Sequence, residues 1–199
     1  ELTGQILAVT AAAGDEAVLS HALRRRRARE MVRIAWRDLA GMAALDETVT
    51  DLSALAEACL DGALDRLHEW AVQKYGQPRG QGARLPRLVV MAMGKLGGRE
   101  LNFSSDIDLI FCYPEEGDCE KGLSNQEFFM RLGQALIRAL NENTADGFVF
   151  RVDMRLRPNG ESGPLALSFE AMEHYYQLHG RDWERYAFVK ARVVAGEGL

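Results

Sequence analysis

A chain of 199 residues with 47% hydrophobic content can bury a full core, and a formal net charge of −5 lacks the basic stripe expected of a nucleic-acid binder. No apolar run is long enough to span a bilayer and no signal peptide precedes the fold, so neither nucleic acid nor membrane is expected as a partner and the expected location is cytoplasmic. Cys59, Cys112 and Cys119 are odd in number and lack metal-ligand spacing, which reads as reduced thiols.

The first part of the chain is helical by its periodicity. Apolar positions Met31, Val32, Ala35, Trp36 and Leu39 recur at helical spacing and are expected to face the core. A second stripe, Leu52, Leu55, Ala56, Cys59, Leu60, Ala63, Leu64, Leu67 and Trp70, follows Thr50-Asp51, an expected N-cap. The run from Arg24 to Arg27, with Arg29, reads as a solvated helix face. Helical character is expected up to residue 75, and Pro78, Gly80, Gly82 and Pro86 mark residues 76–87 as a linker. The sheet-bearing core should then occupy residues 88–199. The chain stops at Gly198-Leu199 with no natural end and reads as a piece of a larger enzyme.

An apolar strand over residues 88–93 leads into a glycine-rich turn with Gly94, Lys95, Gly97 and Gly98, where backbone N–H groups can meet phosphate oxygens. Asn102, Phe103, Ser104 and Ser105 then precede Asp106-Ile107-Asp108 at the mouth of a second strand. Side chains alternate along a strand, so Asp106 and Asp108 share one face while Ile107, Leu109 and Phe111 fill the core behind. Paired carboxylates of this kind suit Mg²⁺ or Mn²⁺, and can bridge two ions about 3.5–4 Å apart for in-line displacement at phosphorus. Other phosphate motifs fail on spacing. A Walker A loop would need glycine and a hydroxyl residue where Val89 and Leu96 stand, and G-x-G-x-x-G is absent.

Residues 114–122 are acidic and turn-rich. Ser124 with Glu127 then forms a capping box ahead of Phe128, Phe129, Leu132, Leu136 and Leu140, a helix expected to cover the sheet. Phe148, Phe150, Val152, Met154 and Leu156 alternate with Arg151, Asp153, Arg155 and Arg157, predicting a strand that Pro158 ends. Asp153 among three arginines fits either a surface ion-pair ladder or a third metal ligand beside guanidinium groups that grip phosphate. A turn over residues 159–163, a strand at 165–167 and a helix capped by Ser168 and ended near Gly180 complete the order. His21, His68, His174 and His179 stand apart from the carboxylates, so no histidine base is expected. The fold class is α+β: a helical N-terminal part followed by a mixed sheet with helices on it.

The glycine turn, Asp106-Ile107-Asp108 and Asp153 resemble the nucleotidyltransferase fold shared with DNA polymerase beta. The fuller string over residues 94–111 is closer still to the bifunctional glutamine synthetase adenylyltransferase/adenylyl-removing enzymes, which carry two such domains in one long chain. The likeness covers about residues 88–195, and the strings at 151–165 and 180–192 resemble the adenylyl-removing half. One position departs from the wider superfamily, which has Gly-Ser where Gly94-Lys95 stands. The resemblance implies two Mg²⁺ or Mn²⁺ ions on Asp106, Asp108 and Asp153, the nucleotide phosphates among Gly94, Lys95, Gly97, Gly98, Ser104 and Ser105, and Arg155 and Arg157 stabilising added charge. It implies phosphorolysis of the AMP–tyrosine phosphodiester of adenylylated glutamine synthetase by orthophosphate, releasing ADP, with a PII-type signal protein acting through the full-length enzyme. The alternatives are transfer of AMP from ATP to glutamine synthetase, or a module that binds nucleotide or regulator without turnover.

Overall fold

The computed structural model describes residues 2–82 and 85–196, so the Gly198-Leu199 terminus and two positions of the 76–87 linker lie outside the described residues. Three helices come first: α1 (Leu2–Ala11), α2 (Glu16–Leu39) and α3 (Leu45–Tyr75). The remainder alternates strands β1 (Val89–Ala92), β2 (Ile107–Tyr113), β3 (Val152–Asp153), β4 (Ala166–Ser168) and β5 (Arg192–Ala195) with helices α4 (Gly94–Gly97), α5 (Asn125–Asn141), α6 (Phe169–Leu178) and α7 (Asp182–Ala187). The α+β expectation holds, and the arrangement is consistent with a nucleotidyltransferase fold.

The sheet is mixed, in the order β3-β2-β1-β5, with β4 also paired to β2. β1 is antiparallel to both β2 and β5, whereas β3 and β4 run parallel to β2, β3 beside its start and β4 beside its end. Alternation divides β2 cleanly. Ile107, Leu109, Phe111 and Tyr113 enter the main core with α1, α2, α3 and α5, while Ile110 and Cys112 join Val89, Met93 and Met172 in a smaller cluster under α6 and a 3-10 turn at Phe188–Lys190. One apolar core therefore runs without a break from Ile6 and Leu23 through Leu60 to Val90 and Phe111. Residues 76–82 lie against the 115–120 loop, where Pro78 bridges Cys119, the Asn125 amide donates to the Arg79 carbonyl at 2.8 Å, and Arg79 pairs with Glu120 at 2.5 Å. All three cysteines are buried free thiols.

Four sequence expectations are corrected. The Val32, Trp36 and Leu39 stripe faces solvent, because α2 buries Leu19, Leu23, Glu30 and Ile34 instead, a stripe on a different side of the same helix. Arg24 belongs to that buried side. Its guanidinium donates to the carbonyls of Ala139 and Gly147 at 3.0 and 2.7 Å and to that of Glu142, closing the carbonyl end of α5 and the loop after it, so it is no solvated surface charge. The N-cap expected at Thr50-Asp51 lies inside α3, which starts five residues earlier at Leu45, and Thr48 is buried with its hydroxyl donating to Asp38 at 2.9 Å. The long strand ended by Pro158 shrinks to Val152–Asp153. Val149 and Phe150 both donate their N–H groups to the Leu140 carbonyl, which folds this segment onto the end of α5 and buries Val149 where strict alternation would expose it.

Candidate active site

Asp108 and Asp153 stand opposite each other in the parallel β2–β3 register, and Asp106 immediately precedes β2. Two carboxylates on adjacent strands repel. The Asp108 carboxyl is held above the usual carboxylate range, first by burial and then by the charges of Asp153 and Asp106, with Arg155 acting the other way. Asp153 is shifted downwards, because Arg155 grips it through Nε at 2.8 Å and through its backbone N–H at 2.8 Å. Asp106 is paired with Arg151, whose second nitrogen donates to the Ser104 carbonyl at 2.6 Å. The sequence reading placed Arg151 on the polar face but did not assign it to Asp106, a partner 45 residues away.

The glycine turn is a single helical turn, α4, carried by Met93, whose N–H donates to the Asp108 carbonyl at 2.9 Å. Gly94 has a φ of +52°, and a Cβ there would stand 2.9 Å from Asp108 Oδ2, so the backbone passes directly over the central carboxylate. Lys95 reaches Ser105 Oγ at 3.3 Å, and that hydroxyl donates to Asn102 Oδ1 at 2.6 Å. Ser104 is exposed beside them.

A family model for glutamate-ammonia ligase adenylyltransferase matches residues 2–198. The chain belongs to that family. It is 61% identical over 199 residues to the bifunctional glutamine synthetase adenylyltransferase/adenylyl-removing enzyme of Thioalkalivibrio sulfidiphilus, covering 99% of this chain and 20% of the relative. The enzyme of the same name from Nitrosococcus oceani is 62% identical over 186 residues, covering 92% and 19%, and that of Pseudomonas aeruginosa is 58% identical over 201, covering 99% and 20%. The chain thus spans about a fifth of the length of these curated relatives.

Within this member of the family the remaining expected contacts separate into two groups. Gly97 is buried against backbone: a Cβ there would stand 2.0 Å from the Lys190 carbonyl oxygen and 2.6 Å from that of Ala92, so this glycine is required by packing. Gly98 is exposed beside the Lys190 stem. Arg155 is exposed at the carboxylates, but Arg157 donates to the carbonyls of Met154 at 2.7 Å, Glu161 at 3.1 Å and Gly163 at 3.3 Å, holding the loop after β3 in shape. Several supports were invisible in sequence. Ser53 of α3 accepts from Leu101 N at 3.2 Å, while Arg192 donates to the carbonyls of Gly97 and Leu96 at 3.2 and 3.1 Å and pairs with Glu57, so the helical part anchors the glycine turn. Ser53 and Glu57 sit on a plain amphipathic helix and carry no local signal; Arg192 lies in the 180–192 string.

The three carboxylates suit a hard divalent cation in charge and chemistry, and the charges of Asp153 and Asp106, which after burial hold the Asp108 carboxyl up, are ones a cation would offset. As the side chains stand, no group of three His, Cys, Asp or Glu side chains converges as a metal cage among the described residues. Asp106 and Asp153 are turned to Arg151 and Arg155, so a cation at these carboxylates would compete with the arginines for the same oxygens. Among the described residues no helix is long and apolar enough to cross a membrane.

Proposed function

We propose that this chain carries the centre that removes AMP from adenylylated glutamine synthetase by phosphorolysis, a reading supported by the names of its relatives and by the resemblance of the 151–165 and 180–192 strings to the adenylyl-removing half. The observation that carries the reading is the register pair Asp108–Asp153 with Asp106 beside it, capped by the Gly94 backbone and ringed by Arg151, Arg155 and Lys95. An oxygen of orthophosphate forms a bond to the AMP phosphorus as the bond from that phosphorus to the tyrosine oxygen breaks. The products are ADP and tyrosine, whose oxygen takes a proton from solvent.

Mg²⁺ or Mn²⁺ held by Asp106, Asp108 and Asp153 would neutralise the two anions that must meet. The chain's own groups orient them. Arg151 and Arg155 present planar guanidinium donors matched to phosphate oxygens once released from their carboxylates, and Lys95 and Ser105 add a cation and a hydroxyl at the exit of the glycine turn. Orthophosphate is already an anionic nucleophile, so no general base is required, in keeping with the lack of a histidine among the groups described at the aspartates. A PII-type signal protein would act through parts of the longer enzyme beyond these residues. The test mixes the chain and Mg²⁺ with adenylylated glutamine synthetase, with and without orthophosphate, alongside unmodified glutamine synthetase with ATP. ADP released only with orthophosphate is the expected result; incorporation of AMP from ATP would reverse the direction, and silence in both would leave a binding module.

A further inference from the structure

The glycine turn is too short to hold itself in place. Its helical bonds run from the Gly97 N–H to the Met93 carbonyl at 3.0 Å and from the Gly98 N–H to the Gly94 carbonyl at 3.1 Å. An isolated turn of this length is unstable in water, because nucleation fixes several dihedrals for each bond made. Its place over Asp108 is therefore set from outside. Gly97 and Gly98 supply close packing against Lys190, and the directed bonds come from Arg192. Arg192 Nε donates to the Gly97 carbonyl at 3.2 Å, and one terminal nitrogen both donates to the Leu96 carbonyl at 3.1 Å and pairs with Glu57. The last carbonyls of a helix lack i+4 partners, and a planar guanidinium has the fork geometry to take two of them at once.

Both ends of this tie are firmly rooted. Arg192 opens β5 and stands opposite Ala92, the last residue of β1, so the sheet fixes its backbone beside the start of the turn. Glu57 projects from a stretch of α3 in which Leu55, Ala56, Cys59 and Leu60 are fully buried. One helical turn earlier on the same face, Ser53 accepts from Leu101 N, just past the glycines. The Arg192 and Glu57 side chains are only 28% and 20% exposed, which shelters the pair from the screening that weakens surface ion pairs. Arg99, a second cation near Glu57, stands farther off at 3.9 Å and is 61% exposed. From Leu96 and Gly97 the backbone leads back within one turn to Gly94, where a Cβ would stand 2.9 Å from Asp108 Oδ2. Misplacing groups at a reacting centre by about 1 Å can cost about a hundredfold in rate.

We propose that Arg192, tethered by Glu57, is a positioning residue that holds the glycine turn at the height over Asp108 where the reacting phosphates are placed. The identity of those phosphates rests on the phosphorolysis reading above, whereas the placement of the turn can be read apart from it. Arg192 acts through the turn and takes no part in the bond exchange itself.

The test compares Arg192→Met, Glu57→Gln and the double variant with the unaltered chain. Hydrogen exchange at the Gly97 and Gly98 amides, read by NMR, reports the turn; kcat and KM with adenylylated glutamine synthetase, Mg²⁺ and orthophosphate report the reaction; melting curves check folding. In Arg192→Met the two glycine amides should exchange about tenfold faster or more, while the Met93 amide, bonded to the Asp108 carbonyl, keeps its rate. The kcat of the folded variant should fall about tenfold or more with the KM for the protein substrate unchanged, a split that mere loss of stability would not produce. Glu57→Gln should lower kcat about threefold and add nothing in the double variant, because it acts only through Arg192. Unaltered glycine exchange, unaltered kcat, a loss confined to KM, or additive losses in the double variant overturn the proposal. Should Arg192→Met fail to fold, Glu57→Gln decides alone, by faster glycine exchange together with lowered kcat or the absence of either. If the unaltered chain shows no turnover, the phosphorolysis reading fails and binding of ADP with Mg²⁺ replaces kcat: faster exchange with binding about tenfold weaker or more in Arg192→Met supports the positioning role, and any other result overturns it.

Discussion

Two of the arginine clusters in this molecule engage carbonyls and carboxylates with opposite consequences. Arg24 in the helical part is buried and directs its donors to four backbone carbonyls, those of Ser20, Ala139, Glu142 and Gly147, and to the Ser20 hydroxyl, so it closes the end of α5 with its donors engaged inside the fold. Arg151 and Arg155 at the sheet are exposed and hold carboxylates that other cations could claim. A buried charge saturated by backbone is architecture, whereas an exposed charge paired with a carboxylate beside a repelling neighbour is a candidate site. The contrast teaches that the role of a charged residue follows from where its donors go, which composition and run length do not reveal.

The contrast breaks most visibly at Asp108. Asp108→Asn should lower the phosphate-dependent reaction by about a thousandfold or more, since it removes the central oxygen donor. Burial and two like charges hold the Asp108 carboxyl above its ordinary range, so its ionised form opposes folding, and the variant should melt no lower than the parent. Arg24→Met should do the reverse, costing about 3 kcal/mol in a denaturant melt by leaving carbonyls unpaired, with the remaining folded fraction fully active.

Acid should reach the helical side through His68, which is nearly buried, edge-on to Phe128 at 5.7 Å, and pushed down to about 4 chiefly by burial, with Arg87 adding to the shift. A histidine whose folded value is depressed costs nothing above about pH 6.5, where both states are neutral. As pH falls towards 4 the unfolded chain alone gains the proton, so stability should drop by at most about 3 kcal/mol over that window. His68→Phe should flatten this part of a pH-dependent denaturation series. At the small end, Trp36→Ser on the solvent stripe of α2 should change stability by less than about 0.5 kcal/mol, since the residue is 69% exposed.

Much of the local structure around the candidate site was legible because its signals are local. Alternation placed Ile107, Leu109 and Phe111 in the core and the aspartates opposite, Ser124 caps α5 through the Glu127 N–H at 3.2 Å, and Ser168 caps α6 through the Ala171 N–H at 3.3 Å. The Leu52 to Leu67 stripe is buried as its periodicity requires. What failed was non-local. Val32, Trp36 and Leu39 show the same helical period as the true inner face of α2, and only packing against α3 and α5 selects Leu19, Leu23 and Ile34 instead, with Met31 partly buried against the core. Alternation over residues 148–157 could not reveal that Val149 and Phe150 bond to the Leu140 carbonyl and end the regular pattern. Arg157 shows the same limit, since its sequence neighbours suggest phosphate while its donors go to the loop that follows.

The central claim is that Asp108, with Asp106 and Asp153, drives exchange of phosphate for tyrosine at the AMP phosphorus. The most direct measurement follows glutamine synthetase labelled with ³²P in its AMP group, incubated with Mg²⁺, orthophosphate and either the parent chain or Asp108→Asn matched for melting temperature. The account predicts label appearing in ADP with the parent and remaining on the protein with the variant. Label released as AMP, or released equally by Asp108→Asn, would contradict it.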